Sequence, residues 1–265
     1  MKIAGKVFLV TGAGSGMGRE MTHQIIAKGG KVAALDRHLP ALLETQQVCS
    51  GTSNTFLALE VDITDRTKVL ALPEQVIKHF GQIDGIINNV GIIQPFVKVN
   101  DLTFEQIEHV MNVNFFGCVF VTKAFLPYLL ERPVAHIVNI SSMGGFLPVP
   151  GQSIYGAAKA AMKLFTEGLY AELKETSVRV SVVFPGAIAT NITTNSGIEI
   201  PVTADSSGMT AMPANEAARE ILKGMEADQY RILVGSDSKF MDFLSRLAPE
   251  YATNFIAKKM KALLG

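Results

Sequence analysis

One unit near the N-terminus limits the choice of fold more than any other stretch. Lys6-Val7-Phe8-Leu9-Val10 is a short apolar run, the form of a strand buried on both faces. It leads into Thr11-Gly12-Ala13-Gly14-Ser15-Gly16-Met17-Gly18. A helical pattern follows, with Met21, Ile25 and Ile26 on one face, and Gly29-Gly30 ends it. Lys31 to Leu35 is a second apolar strand that stops at Asp36. Strand, glycine turn, helix, strand and acid in this order make the βαβ unit of a dinucleotide-binding fold. The glycines permit positive φ and let backbone N–H groups close on a pyrophosphate at the helix N-terminus, where the dipole favours anions. Gly12, Ser15, Gly16, Met17 and Gly18 are the expected cradle. The spacing is T-G-x-x-x-G-x-G, since G-x-G-x-x-G would need glycine at Met17.

Asp36 can accept hydrogen bonds from an adenosine ribose and would repel a 2′-phosphate, which favours NAD over NADP. Arg37 is either a solvated charge or a guanidinium able to bind that phosphate. No basic residue lies between Gly12 and Gly18 to help it.

The same alternation continues along the chain. Helix is expected over Leu39–Val48, and strand over Thr55–Val61 ending at Asp62-Ile63-Thr64. Asp62 suits a helix cap and also an adenine amino group. Val69–Phe80 reads as helix with Pro73 at its start or at a kink. Ile83–Ile87 reads as strand into Asn88-Asn89-Val90-Gly91, whose amides suit either ligand contacts or strand bracing. Thr103-Phe104-Glu105-Gln106 is a capping box for a helix to about Leu130, kinked near Pro127. Asn114 lies within it between Val113 and Phe115, where an amide is commonly a satisfied core group. His136–Ile140 is a strand, Tyr155–Lys174 a helix and Val178–Phe184 a strand ending at Pro185-Gly186. Ala187–Pro213 has the composition of a mobile loop over a site. Asn215 is the expected cap of a helix to Glu226, and Tyr230–Val234 is the seventh strand. These elements predict one doubly wound α/β Rossmann domain over residues 1–236, with a seven-stranded parallel sheet and a helical extension over 237–265.

Between the fifth strand and its helix lies ISSMGGFLPVPGQSIYGAAK, Ile140 to Lys159. Tyr155 and Lys159 are four residues apart and share a helix face. A phenol ionises at about pH 10 in water, and an ammonium beside it lowers that value. A serine hydroxyl aimed at the same point could bond a reacting oxygen. The three make a proton-handling device.

Charge is balanced, 24 basic against 24 acidic residues, so no global field favours nucleic acid or a membrane. Cys49 and Cys118 are expected as reduced thiols of a cytoplasmic protein. Met1-Lys2-Ile3-Ala4 leads straight into a strand, which leaves no room for a signal peptide. No uninterrupted apolar run of about 18 residues suggests a spanning helix. His23, His38, His79, His109 and His136 have no metal-ligand spacing, and no metal role is expected.

Together these residues resemble the short-chain dehydrogenase/reductase family, in its branch of compact chains, over about residues 5 to 235. The resemblance rests on Thr11–Gly18, Asp62, Asn88-Asn89-Val90-Gly91 (valine where the family has alanine), Asn114, Ser142, Tyr155-x-x-x-Lys159 and Pro185-Gly186. It implies hydride transfer between a nicotinamide dinucleotide and a secondary alcohol or ketone. Tyr155 would be the acid/base, Ser142 would bond the substrate oxygen, and Ser141 would be structural. Lys159 would lower the Tyr155 pKa and hold the nicotinamide ribose, and Asn114 would position a water leading to Lys159. Asp62 and Ile63 would meet the adenine, and Asn89, Val90 and Gly91 would line the cofactor. Pro185, Gly186, Ile188 and Thr190 would surround the nicotinamide. A homodimer or homotetramer is implied, with helices 104–130 and 155–174 as the default dimer face. A catalytically silent NAD-binding sensor and a membrane-surface protein remain as alternatives on the same fold.

The C-terminal segment departs from the family's V-D-G-G ending. Phe240, Phe243, Leu244 and Leu247 form one helical stripe. Phe255, Ile256, Met260, Leu263 and Leu264 form another, with Lys258, Lys259 and Lys261 among them. Such a tail can pack on its own body or a partner subunit, cover a hydrophobic substrate, or lie on a membrane surface. The apolar residues of the 187–213 loop, Ile198, Ile200, Val202, Met209 and Met212, favour an apolar substrate, as do Phe146, Leu147, Pro148 and Val149.

Overall fold

The computed structural model describes residues 1–198 and 211–260. The first unit forms as read: β1 (Val7–Thr11), α1 (Gly16–Ala27) and β2 (Lys31–Asp36). Next come α2 (Leu39–Val48) and β3 (Phe56–Glu60). The helix expected over Val69–Phe80 is two, α3 (Arg66–Leu70) and α4 (Leu72–Phe80), with Pro73 in the first turn of the second. Proline is tolerated there because that N–H has no partner in the helix. β4 (Gly85–Asn88) follows.

The capping box forms at Thr103, whose Oγ1 accepts from Gln106 N while Gln106 Oε1 accepts from Thr103 N. It opens α5 (Phe104–Met111), and α6 (Gly117–Leu130) continues the same rod. Between them Asn112–Phe116 widens into a π turn. The break in the α pattern therefore falls around Asn114, although Pro127 lies inside α6. By length and apolarity Phe104–Leu130 could cross a bilayer. Here it docks on the sheet through Val121, Phe125 and Leu129.

The chain then runs through β5 (Ala135–Ile140), α7 (Ser153–Glu172), β6 (Val178–Pro185), β7 (Ile188–Ala189) and α8 (Ile192–Asn195). It continues with β8 (Met212–Pro213), α9 (Ala214–Glu226), β9 (Arg231–Val234), α10 (Ser236–Leu247) and α11 (Pro249–Met260). The loop expected over 187–213 thus contains a helical turn and a small parallel pair, β7 with β8. Its Ile200, Val202 and Met209 lie outside the described residues, as do Lys261, Leu263 and Leu264. α9 starts directly after Pro213 and not at Asn215, whose side chain accepts from Glu216 N.

Seven parallel strands form the sheet in the order β3-β2-β1-β4-β5-β6-β9. Alternation along each strand sends side chains to opposite faces. Phe8 and Val10 join Met21 and Ile25 of α1 and Ile221 and Met225 of α9. Val7 and Leu9 join Val76 of α4 and Phe125 of α6. The order reverses between β1 and β4, so a crevice opens at their carboxyl ends. Beside it Asn88 Nδ2 donates to Asn139 Oδ1 (2.8 Å) and Asn139 Nδ2 to Thr166 Oγ1 (2.9 Å), tying β4, β5 and α7 together. Asn88 is thus a strand brace. His136 is buried with Nε2 2.8 Å from Ser181 Oγ, and burial lowers its pKa to about 4. Among the described residues no group of three His, Cys, Asp or Glu is placed to hold a metal.

The tail packs on its own body. Met241, Ala252 and Ile256 enclose Leu147, with Met143, Phe146 and Val149 against Leu244, Phe255 and Met260. The stripe expected on α10 is turned differently: Phe240, Phe243 and Leu247 are exposed, at 56%, 64% and 71%. Polar anchors choose the face. Ser238 Oγ donates to Phe184 O (2.7 Å), and Arg231 Nη2 donates to Asp242 Oδ1 (2.7 Å).

Candidate active site

An open cleft lies over the carboxyl ends of β1, β2 and β4. Its floor is the glycine turn. Gly12 and Gly16 have φ of +67° and +51°, conformations that a side chain would strain. Ser15, Gly16 and Met17 line the cleft with Gly12. Gly18 sits below them, packed against Gly12 O and Asn89 Nδ2 so closely that a Cβ would overlap both. The turn is held from outside by Arg19, whose Nη2 donates to Gly14 O (2.6 Å) and to Glu44 Oε2 (2.8 Å). What remains is a shallow, side-chain-free surface at the start of a twelve-residue helix, the shape and polarity that suit a pyrophosphate.

Asp36 stands at one end of the cleft. Its Oδ2 accepts from Gly14 N (3.0 Å) and its Oδ1 from His38 N (3.1 Å). These bonds fix the carboxylate at the cleft wall with lone pairs left for ribose hydroxyls. Arg37 lines the cleft and donates to Asn195 O (3.2 Å), so its guanidinium is tied to α8. Asp62 does not cap α3, whose N-cap is Asp65; it closes a local turn by accepting from Thr64 N and Oγ1 (both 2.8 Å), and it and Ile63 line the cleft.

On the other side Thr11 Oγ1 accepts from Asn89 N (2.9 Å) and Val90 N (3.2 Å), which clamps β4's end to β1. Asn89, Val90 and Gly91 line the cleft. A Cβ on Gly91 would stand 3.0 Å from both Asn114 Oδ1 and Lys159 Nζ. The buried Asn114 side chain is fully used. Its Oδ1 accepts from Ile92 N (3.0 Å), and its Nδ2 donates to Ile92 O (2.9 Å) and Val110 O (3.0 Å). The amide thus ties Val110 of α5 to the loop after β4.

Ser142, Tyr155 and Lys159 meet beside Gly91 and Gly144. The Ser142 hydroxyl accepts from Gly144 N (3.0 Å), which fixes its oxygen. Ser141 is structural, donating to Lys159 O (2.8 Å). Lys159 is buried, and its Nζ donates to Ile140 O (2.9 Å) and lies 6.0 Å from the centre of the Tyr155 ring. Burial lowers the Lys159 pKa to about 8, against a small opposing effect of Cys118. Burial raises the Tyr155 pKa, and the hydrogen bond with Ser142 works the other way. The lowering expected from Lys159 is not found: in the chain alone the opposing influence on the phenol is Ser142, and burial outweighs it.

Pro185 ends β6, and Gly186 follows with its Cα against the Asp237 carboxylate, where a Cβ would overlap it. Asp237 Oδ2 accepts from Ala187 N (2.7 Å). Ile188 turns away from the cleft to pair with Met212 and pack on the core. Thr190 faces the cleft, 3.3 Å from where a Gly16 Cβ would sit. Three residues here carried no sequence signal. Asn195 Nδ2 donates to Ser15 Oγ (2.9 Å), so α8 bridges the glycine turn. Asp237 clamps the turn after β6. Gln94, from the loop after β4, bonds the first turn of α7, Tyr155 included.

The chain is similar to known proteins in sequence and in fold. A family model described as short chain dehydrogenase matches residues 6–200. SadH of Mycobacterium tuberculosis, provisionally named an oxidoreductase, is 36% identical over 251 residues, spanning 92% of this chain and 91% of its own. A short chain dehydrogenase from Burkholderia cenocepacia in complex with NADP superposes with a TM-score of 0.81 at 26% identity, over 97% of this chain and 99% of that one. A short chain dehydrogenase/reductase from Burkholderia phymatum in complex with NAD gives 0.82 at 23% identity, over 93% and 96%, a likeness of fold alone.

Proposed function

The chain belongs to the short-chain dehydrogenase family of oxidoreductases, and from that membership we propose that it moves a hydride between NAD(H) and an apolar secondary alcohol or its ketone. The observation that carries this reading is the meeting of Ser142, Tyr155 and buried Lys159 where Gly91 brings the cleft to them. The nicotinamide dinucleotide, when bound, supplies the hydride acceptor or donor. The chain's own residues do the rest. The N–H groups of the glycine turn hold the pyrophosphate, and Asp36 accepts from the adenosine ribose. Ser142 bonds the substrate oxygen. Tyr155 gives that oxygen a proton in reduction and takes it back in oxidation. Lys159, charged at neutral pH with a pKa of about 8, holds the nicotinamide ribose. Positioned acid–base help of this kind contributes about 10²–10⁴-fold.

NAD is the proposed cofactor because a carboxylate, Asp36, stands where a 2′-phosphate would lie and Arg37 is engaged with Asn195 O. An apolar substrate is proposed from the apolar segment Phe146–Val149 that lies between Ser142 and Tyr155 in sequence. A screen of secondary alcohols such as 2-octanol, cyclohexanol and 1-phenylethanol, run with NAD+ and NADP+ in parallel, tests both points. Turnover with NAD+ is expected. Cofactor binding with no turnover across the panel would favour the catalytically silent sensor.

Self-association is proposed through α5–α6 and α7. Phe104 on α5, Phe116 in the π turn and Leu164 on α7 are exposed at 80%, 43% and 68% and are the apolar side chains offered to a second copy. A monomeric mass under dilute native conditions would contradict it.

A further inference from the structure

We propose that Gln94 is a positioning residue for the reaction, capping α7 from a distant loop so that Tyr155 is held against Ser142 and the Gly91 edge of the cleft. It rests on the reading of Tyr155 as the acid/base.

A helix leaves its first N–H groups without partners, and the N-cap side chain ordinarily accepts from the second and third. In α7 the N-cap position is Gln152, which makes no such bond. The acceptor is Gln94 Oε1, at 2.8 Å from Ile154 N and 3.0 Å from Tyr155 N. The cap therefore falls on the backbone of the acid/base residue itself.

Gln94 is in turn held on every side. Its Nε2 donates to Gly151 O (2.8 Å), and its own carbonyl accepts from Gln152 Nε2 (2.8 Å). Both glutamines are buried, at 1% and 4% exposure. Two residues earlier, Ile92 is bonded through both backbone groups to Asn114. The segment from Gly91 to Gln94 thus runs as a short strut from the cofactor side of the cleft, beside Lys159 Nζ, to the N–H of Tyr155. Both ends are fixed by hydrogen bonds, buried at Ile92 and partly buried at Tyr155.

Gln94→Met keeps the volume and removes the acceptor. Gln94→Glu keeps an acceptor for both N–H groups, and as the neutral acid that burial favours it also keeps a donor for Gly151 O. The assay uses NAD+ and the secondary alcohol turned over fastest in the screen above, with Tyr155→Phe as reference. Gln94→Met is expected to lower kcat about 10–100-fold, the cost of misplacing a reacting group by a fraction of an ångström to an ångström. The alkaline limb of its pH profile should move, with NAD+ affinity unchanged. Gln94→Glu should recover most of kcat. An arm without substrate follows phenolate absorbance in the NAD+-loaded protein. The Tyr155 signal, identified by its loss in Tyr155→Phe, should titrate at a different pH in Gln94→Met. Should Gln94→Met not fold, Gln94→Asn, a methylene short of both N–H groups, takes its place.

Wild-type kcat and an unmoved Tyr155 titration in the acceptor-free variant would overturn the proposal. So would equal losses in the Met and Glu variants, or losses explained by weaker NAD+ binding. If Tyr155→Phe itself turned over normally, the acid/base reading would fall and this one with it. If Tyr155→Phe is inactive and Gln94→Met is not impaired, only the positioning role falls.

Discussion

Lys159→Met should make the protein more stable at neutral pH while destroying its activity. Lys159 is 3% exposed, and burial lowers its pKa from 10.5 to about 8. Below about pH 8 the ammonium is charged in both folded and unfolded chains, so the folded state bears the full cost of burying it. At about 1.36 kcal/mol per pH unit that cost is roughly 3 kcal/mol. Between about pH 8 and 10.5 the unfolded chain holds more protons than the folded one, so this group's contribution to stability rises with pH. Methionine fills a similar volume without charge but abandons the bond to Ile140 O, a loss of about 1 kcal/mol. Burial wins near neutrality, and the variant should gain about 2 kcal/mol. Near pH 10 the two terms should cancel, and the sign should reverse above about pH 10.5, where little of the charge cost remains and the neutral amine keeps its hydrogen bond. Urea unfolding of both proteins without cofactor, at neutral and alkaline pH, reads this directly. The difference between the two is the safe quantity. Cys49, raised by burial to about 11, lowers the stability of both proteins alike above about pH 9; Cys118, raised to about 12 but coupled to the Lys159 charge, does not cancel, so both proteins carry Cys118→Ala in the alkaline comparison. A variant less stable at neutral pH, or a difference that does not change with pH, would refute the reasoning.

Two further substitutions probe the frame around the site. Gly18→Ala puts a Cβ into Gly12 O and 2.7 Å from Asn89 Nδ2. Overpacking against backbone should cost about 1–3 kcal/mol and abolish NAD+ binding, measured by thermal unfolding and calorimetric titration. Asp237→Ala frees Ala187 N and should cost about 1.5–3 kcal/mol, raising the cofactor KM, while Asp237→Asn keeps an acceptor and should lose less.

The site was legible where its parts are local in sequence. The glycine turn with Asp36, and Tyr155 with Lys159, are fixed by spacings within one strand–turn–helix unit. The strands were legible because both faces are buried, which leaves unbroken apolar runs such as Phe8–Val10. Long-range polar contacts were not legible. Gln94 meets Tyr155 from 61 residues away, and Asp237 meets Ala187 from 50. Nothing in either residue's own neighbourhood encodes its partner. The face of α10 was misread for the same reason. Apolar periodicity selected Phe240, Phe243 and Leu247, yet Ser238 and Asp242 are bonded to β6 and β9 residues and turn Met241 inward. The π turn at Asn112–Phe116 was also hidden, because a widened turn keeps the apolar pattern of the helix around it.

The central claim is that Tyr155 moves the proton on the substrate oxygen, and Tyr155→Phe tests it most directly. The change removes one hydroxyl and leaves the glycine turn, Asp36 and Lys159 in place. NADH formation from a secondary alcohol and NAD+ binding are measured on the same preparation. The account predicts that NAD+ still binds while turnover falls by about 10²–10⁴-fold. Alcohol oxidation at a near-normal rate in that variant would contradict it.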